Sequence, residues 1–253
     1  HRFLTQPIAR ISEAIDKIEP DSPDENLLPM SNAHKDDELG LVTSKFNQIL
    51  IQFSQTQSKL RKMATRDPLT GLPNRTLLLE TIAVTIQRSR VHKRSFALMF
   101  IDLDRFKNIN DSLGHALGDQ FLARIARILE RFVGDKGTVS RLGGDEFTII
   151  LEGVAKTKAA TLISEKVLRA FQTPFLLDDK TLTISTSIGI SLYPNDADNA
   201  DSLIKFADTA MYHAKSSGRN NFQFYTSKLN EIATRHVQLE SGLKEAIQRK
   251  ELS

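Results

Sequence analysis

Cysteine is absent from this chain, which excludes a disulfide framework and fits a reducing compartment. No apolar run approaches the roughly 20 residues needed to span a bilayer, and no signal peptide is visible. No Gly-x-x-x-x-Gly-Lys-Ser/Thr occurs, so any phosphate binding must use another architecture. A formal net charge of +3 invites a nucleic-acid partner. Zinc-ligand spacing, a homeodomain-like helix and an aromatic–basic strand motif are all missing, so none is expected. What remains is a chain of 253 residues, 40% hydrophobic, enough for one full domain with its own core plus helical extensions.

The most informative stretch present is Arg141-Leu142-Gly143-Gly144-Asp145-Glu146-Phe147. The flanking segments Ser140–Leu142 and Phe147–Leu151 read as two strands of a hairpin. Glycines at its turn let backbone pass close to a bulky anion, because no Cβ stands in the way. Adjacent carboxylates suit Mg²⁺, a hard cation that sits between one or two carboxylates and a substrate phosphate. Taken alone, the same residues also describe a tight hairpin with a solvated acidic tip.

Upstream, Phe96–Ile101 is an apolar run of strand length ending in Asp102-Leu103-Asp104. Period-2 alternation puts Asp102 and Asp104 on one side at the end of a central strand. That position suits a metal ligand, and equally a strand-ending turn with exposed aspartates. Beyond it, Lys107 can neutralise phosphate charge, and Asn110 and Asp119 can read a base edge. An aspartate accepts from the N–H groups of guanine, which adenine lacks.

Together these segments resemble the GGDEF family, the diguanylate cyclases. The resemblance runs from about Asp67 to Tyr225. It rests on the opening motif Asp67-Pro68-Leu69-Thr70-Gly71-Leu72-Pro73-Asn74-Arg75, on Asp102-Leu103-Asp104-Arg105-Phe106-Lys107, and on the signature hairpin. The fourth motif is Ala207-Asp208 … Tyr212-His213-Ala214-Lys215-Ser216-Ser217-Gly218-Arg219-Asn220. It implies an α+β fold, a nucleotidyl-cyclase-like mixed sheet flanked by helices. The activity it implies joins two GTP into cyclic di-GMP with release of two pyrophosphates. By the same resemblance, Asp102, Asp145 and the Leu103 carbonyl hold Mg²⁺ (or Mn²⁺). Asp145 and Glu146 carry the catalysis, Glu146 as a further ligand or base. Gly143 and Gly144 admit the α- and β-phosphates, Lys107, Lys215 and Arg219 bind phosphate charge, and Asn110 and Asp119 grip guanine. Phe106 and Phe147 are expected as core plugs, and Tyr212 is expected to pack its ring on the sheet. His115 follows a glycine at a turn and lacks a second histidine at metal spacing.

Two flanking regions lie outside that fold. Leu4, Ile8, Ile11, Ile15 and Ile18 form one helical stripe. A polar connector follows over Glu19–Lys35. A second helix opens at Asp36-Asp37-Glu38, acids that suit its positive end. Leu39, Val42, Phe46, Ile49, Phe53, Thr56, Leu60 and Met63 then make a heptad seam. Two such helices, with Asp37-Glu38-Leu39-Gly40 and Phe46-Asn47, resemble a HAMP signalling module. That resemblance implies a homodimer through these helices, a transmembrane sensor upstream, and the cytoplasmic side of a bacterial inner membrane. At the other end, Leu239–Leu252 is amphipathic and resembles the opening of an EAL phosphodiesterase domain. The expected division is residues 1–56 HAMP-like, 57–66 coiled-coil linker, 67–226 GGDEF domain and 227–253 a helix leading into EAL.

The remaining elements follow from periodicity: helices at Arg75–Ser89, Gly118–Arg131, Lys156–Phe171 and Ala200–Lys215, strands at Phe175–Leu177, Thr181–Tyr193 and Phe222–Tyr225, the last an edge strand. One departure from the family is informative. Many members carry Arg-x-x-Asp shortly before the signature, where product binds and inhibits. Here those positions read Gly134-Asp135-Lys136-Gly137, which predicts weak or absent product inhibition there. The resemblance leaves a second functional class open: a GTP-binding regulatory module that controls an appended phosphodiesterase.

Overall fold

The computed structural model describes residues 13, 27–28, 38–153, 157–177 and 180–229. The expected first helix, most of the connector and the C-terminal amphipathic segment lie outside these. The chain divides into two compact units, His1–Ala64 and Thr65–Ser253. No helix among the described residues is long and apolar enough to cross a membrane.

In the first unit, helix α1 (Glu38–Thr65) carries Glu38 in its first turn and Lys62 in its last, matching the helix dipole at both ends. Five expected seam residues, Val42, Ile49, Phe53, Leu60 and Met63, are exposed in the single chain. Asn47 reaches the connector with both ends of its amide. Its Oδ1 accepts the Leu28 N–H at 2.7 Å and its Nδ2 donates to the Leu28 carbonyl at 3.0 Å. One side chain thus satisfies a whole peptide residue beside a buried Leu28.

The second unit runs α2 (Arg75–His92), β1 (Phe96–Leu103), α3 (Phe106–Leu113), α4 (His115–Val133), β2 (Gly137–Gly143), β3 (Glu146–Glu152), α5 (Lys158–Gln172), β4 (Phe175–Leu177), β5 (Lys180–Leu182), β6 (Thr186–Tyr193), α6 (Ala200–Ser216) and β7 (Phe222–Phe224). The main sheet has the order β2-β3-β1-β6-β7. β1 is antiparallel to β3 and β6, while β6 and β7 are parallel, so the sheet is mixed and the class is α+β.

β1 is buried at every position because both faces are covered. Ala97, Met99, Ile101 and Leu103 belong to a core with Phe121, Ile125, Ile163 and Val167 from α4 and α5. Phe96, Leu98 and Phe100 belong to a second core with Leu78 and Ile82 of α2 and Leu203, Ala207 and Met211 of α6. Strand alternation therefore carries Asp102 onto the α2/α6 layer. α6 lies flush on β6: a Cβ at Gly189 would stand 1.9 Å from the Ala207 carbonyl oxygen and 2.1 Å from the Met211 nitrogen.

Three expectations need correction. The single strand over 181–193 is two: β5 pairs with β4, and β6 enters the main sheet. Alternation continues through the break, so periodicity alone does not reveal the change of sheet. Residues 106–113 form a helix that no start signal announced, since Arg105 caps it with left-handed backbone and no side-chain hydrogen bond. His115 starts α4 rather than sitting in a turn. Phe106 and Phe147 are buried as expected, whereas Tyr212 is exposed.

Candidate active site

The site forms where β1 ends beside the β2–β3 turn. Asp102 stands directly opposite Glu146 in the β1–β3 ladder, so the two side chains share one face. Lys215, in the last turn of α6, places Nζ 2.6 Å from Asp102 Oδ2. The Leu103 N–H points to the Asp145 carbonyl at 3.4 Å, which brings the backbones of two expected metal ligands together.

Electrostatics here are those of crowded, partly desolvated carboxylates. Burial pushes Asp102 up to about 6, with Asp145 and Asp104 adding repulsion and Lys215 opposing it. Glu146 is also raised, first by burial and then by Asp208 and Asp145, against Lys215 and Arg75. Asp208 is raised by loss of hydration, opposed by Lys215. Asp208 was not among the expected site residues; the signal for it is an acid on the α6 face two turns before Lys215.

At the turn, Gly143 pairs with Glu146 across a bulge. Gly143 and Gly144 adopt φ of 150° and 52°, conformations that favour glycine. A Cβ added to either would meet nothing within 4 Å, so the backbone there faces open space. The turn is anchored from below by buried Arg141. Its Nε and Nη2 donate to the Gly144 carbonyl at 3.1 and 2.7 Å, and its Nη1 lies 2.9 Å from Asp67 Oδ1. That oxygen also accepts the Thr70 N–H at 2.8 Å and the Thr70 hydroxyl at 2.6 Å. Burial pushes the Asp67 carboxyl up, but the bonds from Thr70 and Arg141 outweigh it and hold the group low. This strap was missed, although a charged residue at an inward strand position beside Gly-Gly was a usable sign.

Asp104 has a different task from Asp102. Its carboxylate accepts the Ser185 hydroxyl at 2.6 Å, the Ser187 hydroxyl at 2.7 Å and the Asn220 N–H at 3.2 Å. It fastens the end of β1 to the start of β6 and to the loop carrying Arg219. Arg219 itself is exposed with φ 62°.

The expected guanine residues sit on the other layer, on α3 and α4. Asn110 Oδ1 is buried without a hydrogen-bond partner among the described residues, and a Cβ on Gly118 would fall 1.9 Å from it. Asp119 follows Gly118 and is exposed, as is Lys107. Lys107 makes no ion pair among the described residues. The structure thus draws Asp102, Glu146 and Lys215 together, with Asp145 adjoining, and leaves Lys107 at the surface.

Among the described residues no group of three or more His, Cys, Asp or Glu forms a closed metal cluster. Two carboxylates and a carbonyl are hard oxygen donors that fit Mg²⁺, which keeps waters and substrate phosphate oxygens for its remaining positions.

Comparison with known proteins agrees with this geometry. Residues 64–221 match the family described as diguanylate cyclase, GGDEF domain. The chain is 38% identical over 204 residues to the cyclic di-GMP phosphodiesterase NbdA of Pseudomonas aeruginosa, covering 81% of this chain and 26% of that protein. It is 40% identical over 199 residues to the bifunctional diguanylate cyclase/cyclic di-GMP phosphodiesterase MucR of the same organism, covering 79% and 29%. The structure of an N-terminally truncated TpbB comprising only the GGDEF domain, also from Pseudomonas aeruginosa, superposes with a TM-score of 0.65 at 38% identity, covering 67% of this chain and 99% of that one. The chain spans less than a third of the length of NbdA and MucR. With the family match, the carboxylate pair and the open glycine turn in one place, the chain belongs to the GGDEF-domain diguanylate cyclase family.

Proposed function

We propose that this chain is an active diguanylate cyclase that condenses two GTP into cyclic di-GMP and two pyrophosphates. The observation that carries the reading is Asp102 facing Glu146 across the ladder, with Lys215 beside them at an open glycine turn. Family members that include diguanylate cyclases support a role in cyclic di-GMP synthesis. In each half-reaction a 3′-oxygen bonds to the α-phosphorus of the opposite nucleotide while the α–β anhydride breaks and pyrophosphate leaves. Mg²⁺ (or Mn²⁺) held by Asp102, Asp145 and the Leu103 carbonyl would stabilise charge on the phosphorane and the leaving group and lower the pKa of the attacking hydroxyl. Glu146 takes the hydroxyl proton, a task suited to a carboxylate raised above its ordinary range. Gly143 and Gly144 let the α- and β-phosphates approach the backbone. Lys215 and Arg219 bind the phosphate oxygens, Arg219 through its two-pronged guanidinium. Asn110 offers guanine N–H groups the buried acceptor that lacks a partner.

One domain holds one GTP, so turnover needs two domains face to face. We assign that pairing to the α1 seam, whose exposed apolar residues at heptad spacing are those a parallel partner would cover. Dimerisation raises the effective concentration of the opposite half-site. Residues 1–56 would form the HAMP-like module, 57–66 the linker, 67–226 the catalytic domain and 227–253 the lead into an EAL domain. A membrane sensor would lie upstream. The test is incubation of the purified chain with GTP and Mg²⁺ at high protein concentration, with chromatography for cyclic di-GMP and Asp145→Ala alongside. Product from the parent alone supports the reading, and loss of both dimer and activity in Ile49→Pro supports the seam. A second reading, a GTP-binding regulator of an appended phosphodiesterase, is favoured by the name of NbdA, a cyclic di-GMP phosphodiesterase of which this chain covers 26%. GTP binding by a dimeric chain without any product would select it.

A further inference from the structure

Helix α4 turns a row of cations outward. With about 3.6 residues per turn, Gln120, Arg124, Arg127 and Arg131 fall within about 60° of one another around its axis. Together with Ala123 and Ile128 they line one hollow on the surface. Arg124, Arg127 and Arg131 are all exposed, while Phe121, Ile125 and Leu129 of the same helix point into the core. The acids of the helix, Asp119 and Glu130, fall off the edge of the row, and none of its guanidinium groups makes an ion pair among the described residues. Like charges three and four residues apart repel and weaken a helix, so the row costs stability while nothing neutralises it. One member is held in place: Arg124 Nη1 donates to the Leu176 carbonyl at 2.5 Å. That bond sets Leu176, 62% exposed, beside the arginines. The surface therefore combines fixed positive charge with apolar contacts, and it contains no acid.

We propose that this row docks an acidic amphipathic helix of a partner protein, with carboxylates at the same three- and four-residue steps as the arginines. Two helices share one rise per residue, so a partner helix laid along α4 keeps its carboxylates in step with Arg124, Arg127 and Arg131. Each guanidinium then offers a planar fork to a carboxylate, and apolar side chains of the partner cover Ile128 and Leu176, the pattern of helix-in-groove recognition. A phosphate surface fits less well. Three charges attract an anionic bilayer weakly, and stable anchoring takes a second signal; three phosphate contacts also fall short of the roughly six to ten of a strong nucleic-acid binder. α4 covers the sheet face opposite to that of Asp102, and Arg131 stands about 18 Å along the axis from Asp119. An occupied row thus leaves the carboxylate site open.

The experiment is fluorescence anisotropy of a labelled synthetic helix titrated with the full chain. The probe carries Glu at alternating steps of three and four with Leu beside them, and a control carries Gln in place of Glu. Parent, Arg127→Glu and Arg131→Glu are compared. Both positions are exposed, and unchanged melting temperatures verify the fold. One charge-assisted contact amounts to about a tenfold change in affinity. Each variant is expected to bind the probe at least about tenfold more weakly, and the Gln control to lose binding to the parent. Exchanging the probe's central Glu for Lys should restore binding to Arg127→Glu. A parent that does not bind the probe, a Gln control that binds equally well, or variants that bind like the parent overturn the proposal. Tighter Arg127-dependent binding to phosphatidylserine vesicles or to duplex DNA than to the probe also overturns it and assigns the row to a phosphate surface.

Discussion

Replacing Asp67 by asparagine should cost far more than one surface charge. The Asp67–Arg141 pair spans 74 residues of sequence, and its side chains are only 15% and 8% exposed. Removing one member of a buried pair costs about 3–5 kcal/mol, because the other charge is left without compensation. Here Arg141 keeps two bonds to the Gly144 carbonyl, and an asparagine oxygen still accepts from Thr70. We therefore place the loss just below that range, about 2–3 kcal/mol. For a unit of this size that corresponds to roughly 4–12 °C in melting temperature. Urea titration at pH 7 gives the free energy and thermal circular dichroism gives the midpoint. The pH dependence supplies an independent check. Burial pushes Asp67 up, yet Thr70 and Arg141 hold its folded pKa below the ordinary range of an aspartate. A depressed carboxylate contributes stability above its unfolded pKa and loses it as pH falls through the folded value. The gap between parent and Asp67→Asn should thus be full at pH 7 and shrink steadily below about pH 4. An asparagine variant within about 0.5 kcal/mol of the parent at pH 7, the range of ordinary surface changes, would refute the strap as a stabilising device.

Gly189→Ala should be severe, since its Cβ would lie 1.9 and 2.1 Å from backbone atoms of α6 that cannot step aside singly. A loss of about 3 kcal/mol or more is expected in urea titration, at or beyond the usual cost of overpacking. Ser164→Ala should do the reverse: its buried hydroxyl has no hydrogen-bond partner among the described residues, and removing it should raise stability by about 0.5–1.5 kcal/mol. Asp102, pushed up to about 6 by burial, should bind Mg²⁺ more weakly as pH falls through that value at limiting metal. Asp102→Asn should abolish that dependence and be more stable than the parent at pH 7–8, because an acid with a raised folded pKa opposes folding once ionised. Cyclic di-GMP should inhibit weakly through Gly134–Gly137. Installing the absent acid as Gly137→Asp should lower the melting temperature rather than restore inhibition, because a Cβ there meets the Ile150 carbonyl oxygen at 1.9 Å.

What could be read from the sequence was what neighbouring residues encode together. The apolar run of β1, the Gly-Gly turn of β2–β3 and the periodicities of α2, α4, α5 and α6 are local patterns, and each was placed to within a few residues. The failures share one cause. Helix α3 lacks a capping residue, β5 and β6 share an unbroken alternation although they join different sheets, and the strap under the turn joins Asp67 to Arg141 across the domain. Asp102 and Asp104 make the point most sharply. They are two residues apart, of one type and expected on one side. Asp102 faces Glu146 and Lys215, an arrangement that suits metal and phosphate. Asp104 meets two serine hydroxyls and a backbone amide, an arrangement that suits holding two strands and a loop together. The difference depends on where Ser185 and Ser187 fall, 81 and 83 residues downstream of Asp104. A shift of β6 by a single residue would exchange its two faces and take the Ser187 hydroxyl away from Asp104. The chemistry of an aspartate at a strand end is therefore decided by its partners across the sheet, and only the folded register supplies them.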